Sequence, residues 1–217
     1  MRPSKLMSLP LREFLTPTTT FRPGDTVSKV IGFLRNTRLY EAFIEDGEST
    51  ALVAVRDILG ASSIDKTRLS NLMYRIPRLS PGDTVRRAAT LMHDLRVRSL
   101  PMYEGRRLLG QVTAPSIVAR LLDSDLGLKV SAIMTPKPTT VLASDSVSKA
   151  RQIMVKRKFD QLPVMGGETL QGIISSEQIV FNLMPWTDRN VKGDWREGRF
   201  ENPLSSFAEK DVVTSDI

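Results

Sequence analysis

The string Pro23-Gly24-Asp25-Thr26-Val27 returns unchanged as Pro81-Gly82-Asp83-Thr84-Val85, 58 positions later. It returns again, weakened, as Ala143-Ser144-Asp145-Ser146-Val147 after another 62. Self-similarity at a near-fixed period constrains a chain more than any composition does. Every copy must build the same small unit, and a unit of this size exposes an apolar face that a neighbour has to cover. Other landmarks keep the offsets. Arg98-Ser99-Leu100-Pro101-Met102 matches Asp160-Gln161-Leu162-Pro163-Val164, with Tyr40-Glu41-Ala42-Phe43-Ile44 in the first copy. Gly110-Gln111-Val112-Thr113 matches Gly172-Ile173-Ile174-Ser175, with Ala51-Leu52-Val53-Ala54 before them. The copies open on Leu11-Arg12-Glu13-Phe14-Leu15, Leu69-Ser70-Asn71-Leu72-Met73 and Val130-Ser131-Ala132-Ile133-Met134. A fourth opening stands at Leu204-Ser205-Ser206-Phe207-Ala208. The expectation is three repeats and the start of a fourth, in a fragment of a longer protein.

One repeat reads as extended segment, helix, strand, strand, helix. Asp83 or Thr84 caps a helix whose apolar positions Val85, Ala88, Ala89, Met92 and Leu95 share a face. A strand over Leu100–Tyr103, a turn at Glu104-Gly105 and a strand over Leu108–Thr113 follow. Pro115 suits the first turn of a second helix carrying Ile117, Val118, Leu121 and Leu122. The third copy repeats this with Val147, Ala150, Ile153 and Met154, then Leu162–Met165, Leu170–Ser175 and Ile179–Leu183.

Composition removes several chemistries. The chain has no cysteine and one histidine, which excludes disulfides, thiolate metal sites and a cysteine nucleophile. His93, between Met92 and Asp94, has no Ser, Cys or second His around it and reads as structural or exposed. No apolar run is long enough to span a bilayer, and the first ten residues lack the apolar core of a signal peptide. The net charge of +7 is concentrated in residues 61–122, with 11 Lys/Arg against 4 Asp/Glu. That concentration fits an anionic partner or a solvated basic face.

The openings, the helix after Asp-Thr-Val, the Leu-Pro-Val strand and the Gly-x-x-Thr/Ser strand end before a second helix together resemble cystathionine-β-synthase (CBS) domains. The resemblance implies an α+β fold of tandem CBS repeats paired through their sheets into a pseudo-twofold Bateman module. Its boundaries would be 10–61, 68–123 and 129–184, with a Trp- and charge-rich linker at 185–203 and a truncated fourth repeat at 204–217. The first two repeats would form one module. The third would pair with the missing fourth or with its own copy in a homodimer, and the 204–215 opening would add an edge strand there. The family implies a non-catalytic, regulatory, energy-sensing role in the cytoplasm, with no metal and no catalytic residue. An adenosine-containing ligand (AMP, ADP, ATP or S-adenosylmethionine) would sit between repeats, and a regulated protein would read the change.

In the family the ligand motif runs Gly, apolar, any, Thr/Ser, any, any, Asp. The carboxylate takes the ribose hydroxyls, and the strand-end hydroxyl reaches ribose or phosphate. Every copy here departs from it. The first keeps Asp57 but has Ala54 for the hydroxyl; the second has Thr113 and Ser116; the third has Ser175 and Gln178. Asp57 and Thr113 are the leading pair, Thr20 and Thr140 are secondary, and Arg56, Arg96 and Arg98 are the bases closest to the clefts.

Plainer readings stand beside these. Asp57, Thr113 and Ser175 also read as ordinary helix-start residues, and the Arg group at 86, 87, 96, 98, 106 and 107 as a solvated face. Met73, Met92, Met134 and Met154 read as core filling. Trp186 and Trp195, interleaved with Arg189, Lys192, Arg196 and Arg199, suggest nucleic-acid or peptide contact, yet Asp188, Asp194, Glu197 and Glu201 cancel the bases. The rival functions are a nucleic-acid-binding protein using the basic second repeat, and an oligomerisation scaffold with degenerate clefts.

Overall fold

A computed structural model describes residues 3–61, 63–122, 127–183 and 200–214. In chain order its elements are α1 (Pro3–Met7), β1 (Leu15–Thr16), β2 (Thr20–Phe21), α2 (Val27–Thr37), β3 (Glu41–Asp46) and β4 (Ser49–Ala54). Then come α3 (Val55–Ile58), β5 (Tyr74–Ile76), α4 (Val85–Leu95), β6 (Ser99–Glu104), β7 (Arg107–Thr113) and α5 (Ala114–Val118). β8 (Val141–Leu142), α6 (Val147–Arg157), β9 (Gln161–Gly166), β10 (Thr169–Ser175), α7 (Ser176–Gln178) and a π-helical turn at Ile179–Leu183 complete the set. Each of the four openings contains a short 3₁₀ turn: Leu11–Phe14, Leu69–Asn71, Val130–Ala132 and Leu204–Ser206.

The repeat pattern dictates the long helices. Thr84 and Ser146 cap α4 and α6 by accepting from the backbone N–H of Arg87 and Lys149. One face of each is buried: Val27, Val30, Ile31 and Leu34 on α2, Val85, Ala88 and Met92 on α4, Val147, Ala150 and Met154 on α6. Each large side chain so removed from water contributes about 1.5–3 kcal/mol. All three helices are followed by a basic residue in the left-handed region, Arg38, Arg96 and Lys158, with φ of 55°, 54° and 56°. Met73 and Met134 are only half-buried.

The chain forms two compact units that do not follow the repeats. The first takes residues 1–25, 38–54 and 68–128, and the second takes 26–37, 55–67 and 129–217. The strands of the first repeat thus join the second repeat, and its helices join the third.

In the first unit, two sheets run β2-β3-β4-β5 and β1-β7-β6. Each repeat lends its opening to the other repeat's sheet. β1 pairs with β7 (Leu15 opposite Val112, Thr16 opposite Gln111), and β5 pairs with β4 (Tyr74 opposite Leu52). The edge position that receives an opening is here called a slot. Gly110 shows what a slot requires. Its φ is +150°, and a Cβ there would stand 2.7 Å from the Thr16 carbonyl oxygen. Residues separated by the repeat offset meet one another: Ser99 Oγ donates to Glu41 Oε2 at 2.6 Å, Tyr103 Oη to Glu45 Oε1 at 3.2 Å, and Arg106 Nη2 to Glu48 Oε1 at 2.8 Å. Contacts between a residue and its own counterpart mark a local twofold axis.

In the second unit, the sheet runs β8-β9-β10, and α3 packs against α6 and α7 while the π-helical turn packs against α2. The slot on β10 is filled from the same chain. Ile173 and Glu209 exchange both backbone hydrogen bonds at 2.9 Å, Leu204 N donates to Asp145 O, and a Cβ at Gly172 would strike the Glu209 carbonyl.

One expectation needs correction. The second helix of the second repeat lasts five residues and tightens to a 3₁₀ turn over Ala119–Leu121, so the 3.6-residue face is not sustained. Ile117 is buried, but Val118 and Leu122 are exposed. The N-terminal residues also form a helix that periodicity did not suggest: α1 lies against α4 with Leu6 fully buried.

Candidate functional site

The strand ends deliver the predicted hydroxyls. β7 ends at Thr113, whose Oγ1 accepts from Ser116 N at 3.1 Å and caps α5. Thr113 N in turn donates to Ser116 Oγ at 3.3 Å, closing a reciprocal capping box, and the Ser116 hydroxyl donates to Thr113 O at 2.7 Å. β10 ends likewise at Ser175, which accepts from Gln178 N at 3.1 Å while Gln178 Oε1 accepts from Ser175 N at 2.8 Å. Both predicted pairs are therefore brought together, and capping is their visible work. The Thr113 and Ser175 hydroxyls each keep their own proton, and Gln178 keeps its amide N–H groups.

Asp57 is half-buried in the first turn of α3, beside Arg56. Arg56 Nη1 lies 3.4 Å from Asp160 Oδ2 within the second unit, with side chains 12% and 18% exposed. Asp57 and Thr113 fall in different units. Thr20 is half-buried on β2, opposite Phe43, and Thr140 is exposed before β8. Their counterpart in the second repeat is Arg78, whose Nε donates to Thr50 Oγ1 at 2.6 Å and whose guanidinium lies 4.2 Å over the Tyr103 ring. Arg96 is exposed at the end of α4. Arg98 stacks 4.1 Å over Tyr40, and its backbone N–H donates to Glu41 Oε1 at 2.8 Å. The remaining bases are scattered: Arg87 pairs with Asp83 and Arg106 with Glu48. His93 is 89% exposed in its side chain. The Trp186 and Trp195 linker lies outside the described residues.

Three features escaped the sequence reading. Glu41 is 1% exposed and ties the start of β3 to the start of β6 through Arg98 N and Ser99 Oγ. Its signal was a charge inside an apolar strand, aligned with Ser99. Gln111 is fully buried on β7, and neither amide atom has a hydrogen-bond partner. Its signal was an amide where the other copies carry Leu52 and Ile173. The third is a groove of about 540 Å³ lined by Glu45, Gly47, Glu48, Arg78, Tyr103 and Arg106. It lies at the hairpin end of the first unit's strands, away from Thr113, and burial pushes the Tyr103 phenol above its ordinary value. Among the described residues no group of three His, Cys, Asp or Glu is placed to hold a metal, and no helix is long and apolar enough to cross a membrane.

Tandem α+β repeats that trade openings across a local twofold define a class of paired-repeat modules. The CBS domain family matches residues 69–123 and 130–184, just over half of the chain, and the chain belongs to that family. An uncharacterised protein of Methanocaldococcus jannaschii is 25% identical over 224 residues, covering 98% of this chain and 53% of the relative. The inosine-5'-monophosphate dehydrogenase of Korarchaeum cryptofilum is 30% identical over 173 residues, covering 76% of this chain and 36% of the enzyme. The chain thus spans about half or less of these relatives' length. A solved M. jannaschii structure, proposed as an archaeal homologue of γ-AMPK, superposes with a TM-score of 0.82 at 16% identity, covering 95% of this chain and 84% of that one. This last likeness shows the fold alone.

Proposed function

We propose that the chain is a regulatory, non-catalytic CBS protein that binds an adenosine-containing ligand (AMP, ADP, ATP or S-adenosylmethionine) at its strand ends. The repeats would be 10–61, 68–123 and 129–184, with 204–217 opening a fourth, and the protein would act in the cytoplasm as a homodimer on a protein it regulates. The observation that carries this reading is the pair of capped strand ends. After capping, Thr113 and Ser175 retain one donor proton each and Gln178 its amide, a donor set suited to ribose and phosphate oxygens. Asp57 supplies the carboxylate for a ribose, and Arg56, Arg96 and Arg98, with Thr20 and Thr140, are the secondary contacts. Purine nucleotides also fit the relative named as an inosine monophosphate dehydrogenase. The scattered ion pairs of the second repeat's arginines weigh against a continuous nucleic-acid surface.

Isothermal titration of the chain with the four ligands tests this. Saturable binding of one ligand is expected, weakened at least about tenfold by Asp57→Ala or Thr113→Val, the loss of about one hydrogen bond to a charged or polar ligand group. Absence of binding by all four ligands overturns it.

A further inference from the structure

Arg78 is the odd member of its repeat position, where Thr20 and Thr140 stand in the other copies. Its Nε donates at 2.6 Å to the hydroxyl of Thr50, which is 2% exposed, and its guanidinium lies 4.2 Å over the Tyr103 ring. Thr50 also hydrogen-bonds Tyr103, and the Tyr103 hydroxyl donates to Glu45 Oε1 at 3.2 Å. One nitrogen and one face of the guanidinium are thus fixed. Its two terminal amino groups meet no carboxylate among the described residues. A planar fork held in place with its ends open is the group best suited to a carboxylate or phosphate.

Arg78 lines the groove of about 540 Å³ in the first unit, a volume in the ordinary range for small-molecule sites. Glu45 and Glu48 line it too, each with one carboxylate oxygen beyond its contact with Tyr103 or Arg106. Two guanidinium groups and two carboxylates therefore surround one aromatic ring. A bare anion such as phosphate would meet the carboxylates, and a bare cation would meet the guanidinium groups. A small molecule carrying both signs satisfies the whole lining. Opposed charges fixed to a single ring, Arg78 on its face and Glu45 at its hydroxyl, match the short separation of ammonium and carboxylate in an α-amino acid. We infer that this groove binds a free α-amino acid, its carboxylate on the Arg78 fork and its ammonium toward Glu45 and Glu48. The β3–β4 hairpin supplies Glu45, Gly47 and Glu48, and the β6–β7 hairpin supplies Tyr103 and Arg106. A ligand there clamps the two hairpins together across the local twofold. The site lies away from Thr113 and stands apart from the adenosine reading.

The test is thermal melting of the full chain with each of the protein amino acids at millimolar concentration, followed by isothermal titration of the strongest. At least one should raise the melting temperature and bind saturably. Acetate and methylammonium, which carry one of the two charges each, should bind at least about tenfold more weakly. Glu45 is exposed, and Glu45→Gln keeps an acceptor for Tyr103 while losing the charge. Arg78→Lys keeps the charge and loses the fork. Each should weaken binding by about tenfold or more, and Thr113→Val should leave it unchanged. Failure of every amino acid to bind overturns the inference. So does binding that survives Glu45→Gln and Arg78→Lys, or binding that is lost with Thr113→Val. The adenosine titration is read separately, so either reading can fail alone.

Discussion

Gln111 sits fully buried on β7 with an amide that meets no partner. A buried unsatisfied polar group costs about 1–3 kcal/mol, whereas an apolar group of the same shape costs nothing comparable. Gln111→Met should therefore raise the urea midpoint by an amount worth about 1 kcal/mol or more. The left-handed residues after α4 and α6 make a similar case. Arg96 and Lys158 hold φ of 54° and 56°, where a side chain costs about 1–2 kcal/mol relative to glycine. Lys158→Gly should raise the melting temperature. Neither position was legible in the sequence. The helix period fixes where α4 and α6 end but not the sign of φ at the next residue. Gln111 looked like one more member of a strand.

At the scale of elements, the start of α6 carries one acid-sensitive contact. Asp145 accepts from Lys149 Nζ at 2.7 Å and from Leu142 N at 2.9 Å, and these hydrogen bonds, the Lys149 one foremost, hold its carboxyl below the ordinary range. A lowered folded-state value means a contribution to stability that is complete above the ordinary carboxylate range and is lost as pH falls through the folded value. Acid titration followed by circular dichroism should show that loss, and Asp145→Asn should flatten it. The strands and first helices were readable because alternation and capping are local. The slot glycines were seen in the sequence as part of a ligand motif. The backbone gives Gly110 and Gly172 a different reason: the opening that docks there leaves no room for a Cβ. The short α5 was misread because the sequence carries the apolar spacing of a longer helix while the backbone tightens after Val118.

For the whole molecule, the period of the repeat announced pairing, and the 58-residue offset reappears as the contacts of Glu41 with Ser99 and Glu45 with Tyr103. What the period concealed is that the first repeat is shared between units, because the sequence of one copy says nothing about which neighbour takes its sheet and which takes its helices. This division imposes an order on synthesis. The buried face of α2, Val27, Val30, Ile31 and Leu34, packs in the second unit, where its π-helical neighbour begins at Ile179. At translation rates of 5–20 residues per second, α2 leaves the ribosome roughly 7 to 30 seconds before that neighbour exists. The growing chain must carry an uncovered apolar stripe through that interval.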